Sequence, residues 1–95
     1  MSSLSAFAFE TLSLTNKVIS LTSKLYKDAS GEAKRVFITC DGECRYRYDG
    51  GEPTSVSGHS LRDGESVEFH GLQIENFKAI MTGTSICNLH VSYER

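Results

Sequence analysis

The chain has 95 residues, of which 23% are charged and 39% hydrophobic, and its formal net charge is −2. This length suffices for one domain with one core, and the composition is that of a globular rather than a disordered protein. The slightly acidic balance lacks the basic face of nucleic-acid-binding modules, and no apolar run approaches the roughly 20 residues of a membrane span, so we predict neither a nucleic-acid nor a membrane partner.

The N-terminal residues 1–9 are rich in apolar side chains but lack the basic start of a secretory signal. We predict that they form an extended arm and that a first strand covers Phe9 to Leu14. The segment Thr15 to Lys27 is the best helix candidate, but it contains several Ser and Thr residues, which are poor in helix interiors, and we interpret Val18 to Tyr26 as extended but broken. We therefore predict a short strand, a turn and a second short strand there.

The middle of the chain has the alternation of a β-hairpin. In Ala33 to Cys40 the side chains of Val36 and Ile38 share one face, and Phe37 lies on the other. The tripeptide Asp41-Gly42-Glu43 is typical of a tight hairpin loop, and Cys44 to Tyr48 alternates again, as half-buried antiparallel strands do.

A turn-rich segment follows, and its residues explain it without any ligand. Asp49 can accept a hydrogen bond from the backbone just downstream, Gly50 and Gly51 permit positive φ, and Pro53 and Thr54 favour an extended exit with local bonding. We interpret these five residues as a structural turn.

Further turn residues separate the last predicted elements. They are a loop or edge segment over Ser55 to Leu61, a turn over Gly71 to Gln73, and strands over Ser66 to His70, Ile74 to Thr82 and Ile86 to Tyr93. Seven or eight short strands with frequent turns predict an all-β fold, a small antiparallel β-sandwich that is immunoglobulin-like or similar. One such domain would occupy residues 1–95.

The three cysteines allow three arrangements. Cys40, Cys44, Cys87 and His90 are four residues of types that bind zinc, but positions i and i+3 of a strand face opposite ways, so His90 would point away from Cys87. Reduced core thiols are favoured, since free cysteine is a buried residue type and an odd number disfavours a disulfide framework. A zinc site and a Cys40–Cys44 disulfide are the alternatives, and we predict no metal or other cofactor.

Patterns that carry catalysis are missing from the sequence. There is no Gly-x-Ser-x-Gly nucleophile elbow and no phosphate-binding glycine loop, and the acidic residues lie in turns, where they are usually solvated or bonded to their own backbone. We predict that the protein is not an enzyme and has no catalytic residue.

One extended pattern is distinctive. The segment 45–54 reads RYRYDGGEPT, and it is followed by Gly58-His59-Ser60-Leu61 and by IENFKAI over 74–80. The pattern resembles small proteins encoded among the virion genes of tailed bacteriophages and prophages. The resemblance implies a virion structural protein, assembled in the host bacterial cytoplasm, that acts in capsid decoration or as a head–tail accessory. The implied partners are the major capsid protein, a connector or tail protein, and further copies of the same chain.

The turn at Asp49 also resembles one in immunoglobulin-like modules attached to carbohydrate-active enzymes. That similarity supports a sandwich, and a module that binds host-surface glycans is the alternative function.

Four apolar residues are the candidate interface. Leu4, Phe7 and Phe9 give the N-terminal segment more apolar surface than a free tail needs, and such patches often mark interfaces. Phe37, opposite Val36 and Ile38, is either an exposed platform for a sugar or is covered by a partner subunit or by the N-terminal strand. We expect the N-terminal segment to dock on a neighbouring subunit.

Overall fold

Two four-stranded antiparallel sheets form the frame of the protein in a computed structural model that describes residues 5–28, 31–83 and 86–95. The first sheet contains, in spatial order, β1 (Ala6–Leu14), β10 (Cys87–Glu94), β5 (Arg35–Asp41) and β8 (Ser66–His70). The second contains β2 (Ile19–Ser20), β9 (Lys78–Met81), β6 (Cys44–Arg47) and β7 (His59–Leu61). A ribbon of β3 (Lys27–Asp28) and β4 (Gly31–Glu32) and two helical turns, α1 (Ser23–Tyr26) and α2 (Leu72–Asn76), complete the described elements.

Strict alternation in the central strands creates the core between the sheets. Every second residue of β10 is buried, and β5 buries every second residue in the same way. The buried β10 side chains are those of Cys87, Leu89, Val91 and Tyr93. The predicted β-sandwich is therefore confirmed. No helix among the described residues is both long and apolar enough to cross a membrane.

The strand order distinguishes this sandwich from an immunoglobulin domain. Immunoglobulin domains hold their last strand beside the penultimate one, in the opposite sheet from the first. Here β10 lies between β1 and β5, and the penultimate strand β9 belongs to the other sheet. The fold is thus a related but differently connected sandwich.

The predicted hairpin at Asp41-Gly42-Glu43 is wrong. Both edges of β5 are already occupied, by β10 and by β8, whereas β6 pairs with β7 and β9 in the second sheet. The tripeptide is a corner that carries the chain from one sheet to the other. Gly42 has a φ of 118°, and a β-carbon at this position would lie 2.7 Å from the carbonyl oxygen of Ile86.

The predicted arm over residues 1–9 is wrong for its second half. Strand β1 begins at Ala6 and pairs with β10 from Glu94 onward, with a bulge between Ala6 and Ala8. Residues 1–4 lie outside the described part of the chain. The predicted faces of the first strand are confirmed, because Phe9, Thr11 and Ser13 are exposed and Leu14 is buried.

The prediction of two short strands over Val18 to Tyr26 is correct only for β2. The second part is the single helical turn α1, closed by a hydrogen bond from the Leu25 N–H to the Thr22 carbonyl (3.0 Å). The Thr22 N–H and hydroxyl both donate to the carboxylate of Glu10 on β1. These hydrogen bonds between Thr22 and Glu10 thus outweigh the weak preference of the segment for an extended conformation.

The predicted strand over Ile74 to Thr82 also begins too early. The chain forms α2 over the predicted turn and the first residues of that strand, and β9 starts only at Lys78. The helical turn buries Ile74 and delivers Phe77 into the core while Leu72 stays exposed. Ile74 and Phe77 are three residues apart, so the helical turn places both side chains on the same side, toward the core.

Candidate functional site

The outer face of the first sheet brings together two of the candidate interface residues. Register pairs Phe9 with Ser92, Ser92 with Phe37, and Phe37 with Glu68, so these four residues form one row across all four strands. Phe9 is 59% exposed and Phe37 is 41% exposed. We call the outward residues of β1, β10, β5 and β8 the outer face.

Small and polar side chains surround this row. The next row contains Thr11, His90, Thr39 and Ser66. The His90 ring stacks on Phe9 with 6.3 Å between ring centroids and 15° between planes. Phe9 and Phe37 are the exposed apolar side chains of the outer face, and Glu94, Arg35 and His70 form the row on the other side of theirs.

Charged groups on the outer face are paired within the chain. Arg35 forms an ion pair with Glu94. His90 Nε2 lies 2.7 Å from an Asp41 carboxylate oxygen, and His70 Nε2 lies 3.0 Å from Glu68. An apolar centre with a polar rim is the usual anatomy of a protein interface.

The other two interface candidates lie elsewhere. Leu4 is outside the described residues. Phe7 is partly buried and packs against the core, and the Arg95 guanidinium lies 4.0 Å from its ring centroid. Phe7 therefore contributes to packing within this chain.

The structural turn forms largely as the sequence predicts. Asp49 Oδ1 accepts a hydrogen bond from the Gly51 N–H (3.1 Å), and Gly50 has a positive φ of 87°. Pro53 is fully buried, and Thr54 bonds locally to Val56 and Ser57.

Gly51 serves a different purpose from the predicted one. It is not among the glycines with positive φ. Instead, a β-carbon there would lie 2.5 Å from the Arg47 guanidinium carbon. That guanidinium makes a bidentate pair with Asp49, with distances of 3.0 Å and 2.5 Å. The pair, together with the Gly51 N–H, lowers the pKa of Asp49 to about 2.

The distinctive sequence pattern also forms an aromatic cluster. The Tyr46 ring contacts Tyr48, His59, Phe69 and Phe77, at centroid distances of 5.4–6.4 Å. Tyr48 and His59 stack on each other (5.6 Å, 23°) and line, with Arg47 and Asp49, a surface cavity of about 220 Å³. The sequence alone assigns no site to Tyr48 or His59, although both lie within the distinctive pattern.

The three cysteines converge in the core, although they come from both sheets. Cys40 Sγ lies 3.9 Å from Cys44 Sγ and 3.9 Å from Cys87 Sγ, and all three sulfurs lie within 4.8 Å of one another. A disulfide bond would require about 2.05 Å, and all three thiols are free. Burial is the main reason that the pKa of Cys87 rises to about 12, so at neutral pH this thiol is protonated and a poor nucleophile.

His90 does not join the thiols. It occupies the opposite face of β10 from Cys87, as the spacing predicts, and its ring nitrogens face Asp41 and Thr11. The four-ligand zinc set considered from the sequence is therefore not assembled.

Comparison with protein-family models, with curated proteins and with solved structures yields no match to this chain. A functional assignment therefore depends on the outer face, the aromatic cluster, the thiol cluster and the resemblance in the segment 45–80.

Proposed function

We propose that this protein is a non-enzymatic virion structural protein of a tailed bacteriophage or prophage, which decorates the capsid or serves as a head–tail accessory. It acts by assembly through the outer face, and the first occupant of that face is a second copy of the chain. The single observation that carries the assembly function is the placement of Phe9 and Phe37 in one exposed row. The resemblance of the segment 45–80 to phage proteins supports the assignment of the protein to a virion.

The row has a shape that complements itself. Ser92 lies between the two phenylalanines, so the row is a projection, a dip and a second projection. The strands of Phe9 and Phe37 are two spacings apart, about 9–10 Å. A phenyl ring inserted over Ser92 would lie roughly 5 Å from each neighbour, within the range of favourable aromatic pairs.

In a dimer with a twofold axis, this insertion of a phenyl ring over Ser92 would occur twice. In an isologous dimer the same patch meets itself, so Phe37 of one copy fills the dip of the other and the reverse contact follows by symmetry. The ion pair of Arg35 with Glu94 and the hydrogen bond between Asp41 and His90 give these polar groups partners within the chain, so such a contact would desolvate few groups without a partner. Both features favour a second copy over a highly charged partner.

The test combines Phe9→Ser with Phe37→Ser in the full chain. We expect wild-type protein to self-associate in a concentration-dependent manner in sedimentation velocity, and the double variant to be monomeric with an unchanged circular dichroism spectrum. Leu72→Ser removes a residue that is 75% exposed but lies outside the outer face, so it should leave association intact. A wild-type chain that stays monomeric at high concentration would refute the second-copy assignment.

Virion membership needs its own measurement. Mass-spectrometric analysis of purified particles from a lysogen that carries the gene should detect the chain with a defined copy number. Hundreds of copies per particle would indicate decoration, and about six or twelve a connector or tail position. Absence from particles would reject the virion role even if the chain dimerises.

A second candidate function, glycan binding, is favoured by the cavity beside the structural turn. Stacked Tyr48 and His59 rings provide an aromatic platform, and Arg47 and Asp49 provide polar groups at its edge. Its volume of about 220 Å³ falls below the roughly 300–1,000 Å³ of drug-sized pockets and suits a single sugar ring.

A glycan array with wild-type protein and Tyr48→Ala distinguishes the two functions. Binding that Tyr48→Ala abolishes, while the Phe9 and Phe37 variants retain it, would establish glycan recognition at the cavity. Association of the chain with particles and no glycan signal would favour assembly alone.

A further inference from the structure

The cluster of Cys40, Cys44 and Cys87 has the dimensions of a three-sulfur coordination site. Three sulfurs bound at about 2.3 Å to one central atom lie about 4.0 Å apart in a planar arrangement and about 3.4 Å apart in a pyramidal one. The two separations from Cys40 Sγ are 3.9 Å, and the third is no more than 4.8 Å. Small adjustments would therefore place a bound atom among the three sulfurs.

The cluster is held by the two sheets rather than by one flexible loop. Cys40 and Cys87 belong to β5 and β10 of the first sheet, and Cys44 belongs to β6 of the second. All three side chains are almost fully buried. Coordination would therefore cross-link the two halves of the sandwich at its centre.

A surface cavity provides a route to the cluster. It has a volume of about 550 Å³, and Cys87 lines it together with Leu14, Met81 and Ile86. Met81 is also the cross-strand partner of Cys44. A small molecule in this cavity would thus lie beside Cys87, which is 1% exposed, and would need only a local opening to contact its sulfur.

Charge decides which kind of ion the cluster suits. No charged side chain is buried in the described part of the chain, so no opposite charge in the core could balance a charged complex. Three thiolates leave one negative charge with a divalent ion and two with a monovalent ion, and a buried unpaired charge is costly. When all three sulfurs bind as thiolates, only a trivalent ion gives a neutral product.

We propose that Cys40, Cys44 and Cys87 form a binding site for one trivalent thiophilic ion, arsenic(III), which enters as neutral arsenous acid. Three arsenic–oxygen bonds break and three arsenic–sulfur bonds form. Each thiol proton leaves with one hydroxide as water, so three waters are released and no atom changes oxidation state. This binding is independent of the assembly function.

The test uses reduced full-length protein and arsenite under anaerobic conditions. We expect one arsenic atom per chain to remain after gel filtration, with a native mass that corresponds to arsenic in place of three thiol protons. All three cysteines should then resist alkylation after denaturation. Zinc and cadmium added in the same way should be held less tightly.

Two variants separate coordination from folding. Cys87→Ala leaves two thiols, so its affinity for arsenite should fall by at least about tenfold, or 1.4 kcal/mol. Phenylarsine oxide needs only two thiols and should still bind this variant, which reports that Cys40 and Cys44 remain in place. Met81→Leu alters the cavity without removing a thiol and should retain arsenite.

Three results would overturn the site. They are wild-type protein that retains no arsenic, equal arsenite affinity in wild type and Cys87→Ala, and zinc bound more tightly than arsenite.

Discussion

The Tyr93 hydroxyl donates a hydrogen bond to the carboxylate of Glu10, so the last strand of the first sheet is bonded to the first through two side chains as well as through the backbone ladder. The same carboxylate accepts bonds from the Thr22 hydroxyl (2.7 Å) and the Thr22 N–H (3.2 Å). Glu10 therefore fixes the start of α1 against the sheet. Its burial is partial, but Tyr93 is fully buried.

Tyr93→Phe should destabilise the fold by about 1.5–3 kcal/mol, since it removes a hydrogen bond to a charged acceptor and leaves the ring in place. Urea unfolding of wild type and variant measures the difference. Tyr48→Phe removes a hydroxyl from a partly exposed ring and should change stability by less than about 0.5 kcal/mol. Equal losses in the two variants would contradict the role of the Glu10–Tyr93 bond.

Gly42→Ala should cost about 2–4 kcal/mol, because it combines positive-φ strain with a steric clash. The added β-carbon would lie 2.7 Å from the Ile86 carbonyl oxygen and 2.8 Å from the Cys87 α-carbon. Gly64→Ala is the matched control, since Gly64 also has a positive φ but nothing within 4 Å of the new atom; it should cost about 1–2 kcal/mol. Denaturant midpoints of the two variants test the inter-sheet corner, and similar values would argue against the close approach.

Asp49 should contribute to stability above about pH 4 and lose this contribution toward pH 2. Its pair with Arg47 and the Gly51 N–H lowers its pKa from 3.8 to about 2 in the folded protein. The unfolded chain therefore takes up a proton first as the pH falls. Asp49→Asn should be less stable than wild type at neutral pH, and the gap should close in acid.

Urea unfolding as a function of pH measures that gap. Glu52→Gln removes an exposed carboxylate from the same loop and should leave the acid limb of the wild type unchanged. A constant difference between Asp49→Asn and wild type across the acid range would show that the carboxylate acts only through its shape.

Stability should also fall above about pH 9. Burial raises the pKa of the Cys87 thiol from 9.0 to about 12, and burial with the Glu10 contact raises the pKa of Tyr93. Both groups favour their neutral forms when folded, so their contribution is complete below their unfolded pKa values and declines as the pH rises. The slope of unfolding free energy against pH, compared with that of Cys87→Ala, isolates the thiol. If the wild type and Cys87→Ala had identical slopes, the Cys87 thiol would not contribute to the loss of stability at alkaline pH.

The sequence predicted the buried faces well and the strand partners poorly. Alternation alone identifies Val36, Ile38 and Cys40 as inward. In a strand with one solvent-exposed face, every second side chain points to the core. The same turn chemistry at Gly42 serves both a hairpin and a corner between sheets, and only the long-range pairing of β5 decides between them. The helical turn at Ile74 was missed because five residues are too short for a periodic signal.

For the candidate sites, too, the sequence predicts the exposure of single residues but not which residues become neighbours. Exposure of Phe9 and Phe37 could be predicted from their positions in alternating strands. Their adjacency could not, because Ser92 joins them from a strand more than fifty residues beyond Phe37 in the chain. The thiol cluster likewise depends on Cys44 crossing to the second sheet, which no local pattern encodes.

The central position of β10 makes formation of the outer face depend on residues 87–94. Until residues 87–94 have been synthesised, β1 and β5 lack the strand that both of them flank, and the row containing Phe9 and Phe37 does not exist. Such distant pairing is expected to make folding slow, on the order of milliseconds to seconds. A fragment that ends before residue 87 would therefore lack the row through which we propose that the protein associates.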